Sequence, residues 1–170
     1  MNLITQLFGI AGMICLFLVY QQKGRKGLLI SKLCADVCWA VHYLCLGAYG
    51  GMISNAVGIF RELIFLQREK KKWASSPIWP CIFILICWTL GFRSFSRPVN
   101  IMPIAASTAV TMSLWFKKPL MTKIVLAMAS STFLIYDIFV GSYVGVINES
   151  ISILSVILFF IKRRPTMICQ

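Results

Sequence analysis

Seven apolar runs, each close to the length a helix needs to cross a hydrocarbon core, constrain this 170-residue chain more than any other feature. They cover roughly residues 4–21, 28–46, 50–67, 77–93, 99–116, 121–140 and 144–161. A bilayer crossing takes about 17–25 helical residues. Hydrophobic residues make up 59% of the chain and the mean hydropathy is +0.82, whereas soluble domains are about 45–50% apolar. A soluble fold of this size cannot hide that surface. The expected fold is an all-α membrane protein with seven transmembrane helices, a single membrane domain over residues 1–170 whose solvent is the lipid bilayer. No basic segment precedes the first run and no small-residue cleavage site follows it, so it is expected to be a retained helix rather than a signal peptide.

Two connections are tight, Gly47-Ala48-Tyr49-Gly50-Gly51 and Gly141-Ser142-Tyr143, which predicts antiparallel hairpins for helices 2/3 and 6/7. Seven crossings place the chain ends on opposite sides. One side then collects Lys23, Arg25, Lys26, Lys32, Arg61, Arg68, Lys70, Lys71, Lys72, Lys117, Lys118, Lys123, Lys162, Arg163 and Arg164. The other side has only Arg93 and Arg97, a split of 15 to 2 among the 17 basic residues. Basic residues stay cytoplasmic, so the N-terminus is expected outside and the C-terminus in the cytoplasm. The net charge of +12 lies in short clusters at the ends of apolar runs, as membrane anchors do, and no nucleic-acid partner is expected. Six of the seven cysteines fall inside apolar runs, there is no C-x-x-C, and there is a single histidine. Such thiols behave as small hydrophobes. No metal and no cofactor are expected.

Sliding the chain against itself by 94 residues gives a gap-free match. Leu46 to Ile53 lies on Val140 to Ile147 with the frame G-x-Y-x-G-x-I. At the same offset Trp39 falls on Phe133, His42 on Tyr136, Asn55 on Glu149, Lys23 on Lys117, and Gly9-Ile10-Ala11 on Pro103-Ile104-Ala105. Three crossings are odd in number, so directly fused repeats would be inverted; one extra crossing restores a parallel relation about the membrane normal. The expected organisation is a first repeat over 1–70, a linker helix at 77–93 and a second repeat over 99–164.

The run from His42-Tyr43-Leu44-Cys45-Leu46-Gly47-Ala48-Tyr49 to Arg61 resembles the YgjV-type family of small bacterial inner-membrane proteins. So do Met102-Pro103-Ile104 and Gly141-Ser142 to Glu149. That resemblance covers nearly the whole chain and implies a bacterial inner-membrane location. The family usually has Asn three residues before the arginine, where this chain has Gly58, and often Asn where this chain has Asp137. The 3+1+3 design is also similar to the SWEET and PnuC transporters, which implies a solute site between the repeats.

Ionisable and polar side chains inside a membrane are functional candidates. His42 and Asn55 lie seven and six residues from Tyr49, and Tyr136 and Glu149 lie seven and six from Tyr143. At about 1.5 Å per residue all four share a layer roughly 5–8 Å below the outer interface. Glu149, His42, Tyr136 and Asn55, with Trp39 one turn from His42, are the expected substrate site; as helix glue these same groups would only bond neighbours. If His42 faces Glu149, the two can share a proton. Asp36 and Arg61, 13 and 12 residues from Tyr49, are expected to pair as a lock or cytoplasmic gate, with an Arg61 that snorkels to the interface as the alternative. Asp137 is expected to reach water at the outer end of helix 6. Pro103, opposite Gly9 in the repeat, is expected to mark a helix bend.

No nucleophile–base pair appears, so no catalytic residues and no enzyme activity are expected. The expected function is transport or facilitation of a small polar solute, with a non-transporting receptor or scaffold of the same fold as the alternative. Assembly into a homo-oligomer is left open.

Overall fold

A computed structural model describes residues 3–93, 98–116 and 118–163, with side chains as far as Leu154. Arg97, Lys117, Arg164 and Cys169, and the side chains of Ser155, Lys162 and Arg163, lie outside the described residues. Every regular element among those described is helical: α1 Leu3–Gln21, α2 Arg25–Cys45, α3 Tyr49–Gln67, α4 Ile78–Arg93, α5 Ile101–Trp115, α6 Pro119–Val140 and α7 Tyr143–Arg163. Short 3-10 turns at Lys72–Ser75 and Pro98–Asn100 lead into α4 and α5. Three helices, α1, α2 and α6, are long and apolar enough to cross a bilayer by length and composition. α4 and α5 have 16 and 15 residues, slightly short of the ~17–25 of a crossing. α3 has the length but carries Arg61 and Glu62.

Local chemistry sets the element ends. Pro119 opens α6 at a position whose N–H would have had no helical partner. α2 and α6 end alike. Gly47 and Gly141 take positive φ, 66° and 72°. In the first turn the Ala48 N–H donates to the Tyr43 carbonyl at 2.9 Å and the Gly47 N–H to Leu44 at 3.0 Å. In the second, Ser142 donates to Asp137 at 2.9 Å and Gly141 to Ile138 at 3.4 Å. Both are Schellman closures, in which a glycine satisfies the last helical carbonyls while reversing the chain.

The helices α1, α2, α3, α5, α6 and α7 pack in that order into a ring, which closes where α7 meets α1. α4 stands outside it, against α3 and α5. The burial pattern is that of a membrane protein. Leu7, Phe17, Phe60, Leu85, Met128 and Phe139 are exposed, while Asp36, His42, Arg61, Glu62, Asp137 and Glu149 are buried. Pro103 stands at the start of a helix rather than in its interior. It lies in the first turn of α5, where the N–H it lacks would have been unpaired within the helix. Its carbonyl accepts a hydrogen bond from Ser54 Oγ at 3.1 Å. Gly9 serves close approach instead: a Cβ there would lie 2.9 Å from His42 Nδ1.

Candidate functional site

Near the tight turns, three cross-contacts join α2 and α3 to α6 and α7. His42 Nδ1 meets the Thr5 carbonyl at 2.8 Å and Nε2 meets Ser142 Oγ at 2.8 Å. A carbonyl only accepts, so Nδ1 carries the proton, and in the neutral ring Nε2 accepts from the Ser142 hydroxyl. That hydroxyl also accepts from the Gly145 N–H at 3.1 Å, so it caps α7 as well. Tyr43 donates to Asp137 Oδ1 at 2.8 Å, and the Gly51 N–H donates to Tyr136 Oη at 2.8 Å. Gly51 is needed for that approach, because a Cβ there would sit 2.8–2.9 Å from the Tyr43 and Tyr136 rings.

Deeper in, the six ring helices surround a cavity of about 60 Å³. On this measure one water needs roughly 10–15 Å³, so the space suits a few waters or a very small solute. Trp39, Asn55 and Glu149 line it, as do Asp36 and Arg61. His42 and Tyr136 do not. Equal distance along the helices put these groups in one tier, but direction around the helix divides them. The ring nitrogens of His42 are taken up by Thr5 and Ser142, so they hold no proton jointly with Glu149. Asn55 Nδ2 donates to the Gly51 carbonyl of its own helix at 2.8 Å. Glu149 Oε1 accepts from Asn148 Nδ2 at 2.8 Å, and Oε2 has no hydrogen-bond partner among the described residues.

Below lies a buried charge network. Lys32 is paired with Asp36, one helical turn along α2. Arg61 Nη2 stands 3.6 Å from Asp36 Oδ2 and 2.8 Å from Glu62 Oε1. Arg61 Nη1 also donates to Thr111 Oγ1 at 2.7 Å and to Ser107 Oγ at 3.3 Å, on α5. The Asp36–Arg61 pair is thus one edge of a four-residue network.

At the end of the bundle where α1 and α5 finish, basic side chains join α1, α2 and the end of α3 to α5 and α6. Arg25 Nη1 donates to the Leu114 carbonyl at 2.6 Å, and Lys123 Nζ to the Tyr20 carbonyl at 2.7 Å. Arg68 donates to the Trp115 carbonyl, with its guanidinium carbon 3.5 Å from the centre of the Trp115 ring. Helix C-termini carry partial negative charge and unpaired carbonyls, which cations satisfy.

Several participants are not evident from spacing along the chain. Glu62, Lys32, Tyr43 and Ser142 each hold a buried site residue. Asp137 does not reach water: it is 0% exposed, because α7 and Tyr43 cover it. The repeat offset contained the clue, since Tyr43 and Asp137 stand 94 residues apart and so occupy equivalent positions. Among the described residues no group of three or more His, Cys, Asp or Glu side chains is placed to hold a metal.

A helical bundle with apolar flanks, buried charges and a small polar cavity defines the class as a multi-helix integral membrane protein. Residues 3–165 match the family model Imp-YgjV, described as a bacterial inner membrane protein, and the chain belongs to that family. It is 28% identical over 109 residues to inner membrane protein YgjV of Escherichia coli (strain K12), a match that takes in 64% of this chain and 56% of that protein. The chain thus spans little more than half the length of that relative. No solved structure matches the chain.

Proposed function

We propose that the chain is a transporter or facilitator of a small polar solute, built from two three-helix repeats with the solute site between them and α4 as the linker. The observation that carries this reading is the cavity walled by all six ring helices, with α4 contributing nothing to its lining. The halves are tied to each other both above and below it, so opening either set of ties would expose the cavity to one side of the membrane. That is the requirement for alternating access around a fixed site.

The repeat relation has support in the packing. The order of neighbours around the ring is unchanged when α1, α2 and α3 are exchanged with α5, α6 and α7. Residues related by a twofold touch each other only close to its axis, and the equivalent Tyr43 and Asp137 do so. The cavity lining includes the equivalent pairs Asp36/Ser130, Trp39/Phe133 and Asn55/Glu149. Tyr20 and Leu114, also equivalent, offer the two carbonyls capped by Lys123 and Arg25. In this reading all seven helices cross the inner membrane, the N-terminus is periplasmic, and the basic end with its Arg25, Arg68 and Lys123 ties is cytoplasmic.

The test is uptake of small polar solutes into proteoliposomes holding the purified protein, with Glu149→Gln as comparison. The variant keeps the shape and hydrogen-bonding groups of the side chain, so it is expected to remain folded and to lose uptake. A solute that binds and stabilises the protein without ever entering the vesicles would replace transport by a receptor or scaffold role.

A further inference from the structure

We propose that the central cavity binds a small monovalent cation of ammonium type, held by Glu149. This rests on the reading of the cavity as a solute site and names the class of solute. The first support is the balance of hydrogen-bonding groups around the cavity. Its two cations are engaged: Lys32 with Asp36, and Arg61 with Glu62, Ser107 and Thr111. Among the lining atoms, Glu149 Oε2 and the Tyr20 hydroxyl have no hydrogen-bond partner among the described residues, and Asp36 Oδ2 has no hydrogen bond but faces Arg61 Nη2 at 3.6 Å. All three can accept, and two belong to carboxylates that are at least nine-tenths buried, 7% and 1% exposed. An ammonium group brings N–H donors and no acceptor.

Charge points the same way. Lys32 and Arg61 are ion-paired with Asp36 and Glu62, whereas Glu149 has no cation within ion-pair distance among the described residues. A buried charge without a partner is costly, and one monocation supplies that partner. The aromatic wall of Trp39, Tyr43 and Phe133 suits a cation through the negative faces of its rings. The cavity of about 60 Å³ admits ammonium or methylammonium but no sugar or nucleoside. Calcium and magnesium take about six or more oxygen ligands, more than these acceptors provide.

The experiment is thermal unfolding of the purified full-length protein at constant ionic strength. N-methyl-D-glucamine chloride is replaced stepwise by ammonium, methylammonium, potassium or sodium chloride. Ammonium and methylammonium are expected to raise the unfolding midpoint saturably, by about 3 °C or more, and the alkali ions are expected to do much less. Glu149→Gln is expected to weaken the apparent affinity at least about tenfold, the loss of a charge-assisted contact. Glu69→Gln, outside the cavity, should leave the response intact. If Glu149→Gln does not fold, Tyr20→Phe, which removes only the hydroxyl, is expected to weaken the ammonium response several-fold. No ammonium-specific rise in the unaltered protein, an equal rise with potassium, or an unchanged response in Glu149→Gln overturns the assignment. Stabilisation by ammonium without its uptake into vesicles sinks the transport reading alone, and uptake of another solute with no ammonium effect sinks this one alone.

Discussion

Tyr43 and Asp137 illustrate how much a single pair can decide in a low-dielectric interior. Tyr43→Phe removes the donor and leaves a buried carboxylate with neither oxygen hydrogen-bonded by a side chain. Such orphaning costs about 1–3 kcal/mol, more for charged groups. The variant is expected to unfold at a lower temperature in detergent, and Tyr43→Phe combined with Asp137→Leu to recover much of the loss. If the two changes simply add, the hydrogen bond is not what matters there. Gly58 makes a second case. A Cβ at this position would collide with the Asp36 carboxylate and crowd Arg61, so Asp36 fills the space that any side chain at position 58 would need. Residue identities are legible at this scale where the repeat makes an unequal pair or where two charges stand at matched depth, as Asp36 and Arg61 do. Glu149 and Asn55 stood out as an unequal pair, and both line the cavity. Glu62 is not legible from spacing, because Arg61 already has Asp36 at matched depth and a count along the helix does not reveal that one guanidinium serves two carboxylates.

Helix number and approximate bounds were readable because each run is continuous in apolar character and punctuated by glycine, proline or lysine. The two hairpin turns were equally plain, since glycine at a reversed helix end has a physical reason to be there. The effect of Pro103 depends on its position within the helix, and the start of α5 is blurred by the 3-10 turn at Pro98–Asn100. The turns themselves give a sharp expectation. Gly141→Ala and Gly47→Ala each force a side chain into left-handed backbone, at φ 72° and 66°, costing about 1–2 kcal/mol apiece. Neither position has a neighbour within 4 Å of an added Cβ, so backbone conformation is the whole effect. The two losses should add in the double variant, as measured by thermal unfolding, because the turns share no partner. A large non-additive term would mean that one turn senses the other through the Tyr43–Asp137 contact.

For the molecule as a whole, the two sets of ties invite a labelling test. In a cysteine-free background, Ser107→Cys reports on the cavity from α5, where Ser107 is 5% exposed. Replacing Arg25 and Arg68 by alanine removes the side chains that cap the end of α5. Membrane-impermeant thiol labelling from the basic end is expected to rise at least severalfold, while labelling from the opposite face stays low. Increased labelling from the opposite face alone would reverse the proposed sidedness. A tag after residue 170 and another before residue 1 should lie on opposite sides of the membrane, and two ends on one side would exclude seven crossings.

The buried quartet of Lys32, Asp36, Arg61 and Glu62 bears on how the chain enters the bilayer during synthesis. An isolated α3 would carry a guanidinium and a carboxylate near its middle, and a central Arg alone disfavours insertion by about 2.5–3.5 kcal/mol. Besides Glu62 on its own helix, Arg61 pairs with Asp36 on α2, and the Gly47 turn delivers α2 and α3 as one closed hairpin. α3 is therefore expected to leave the translocon together with α2, already neutralised. In a host-protein reporter that scores membrane integration, residues 49–67 alone should be largely translocated, and residues 25–67 should integrate as a hairpin. Asp36→Ala in the longer segment should reduce that integration, because Arg61 and Lys32 would then share only Glu62 as a counter-charge while still in passage.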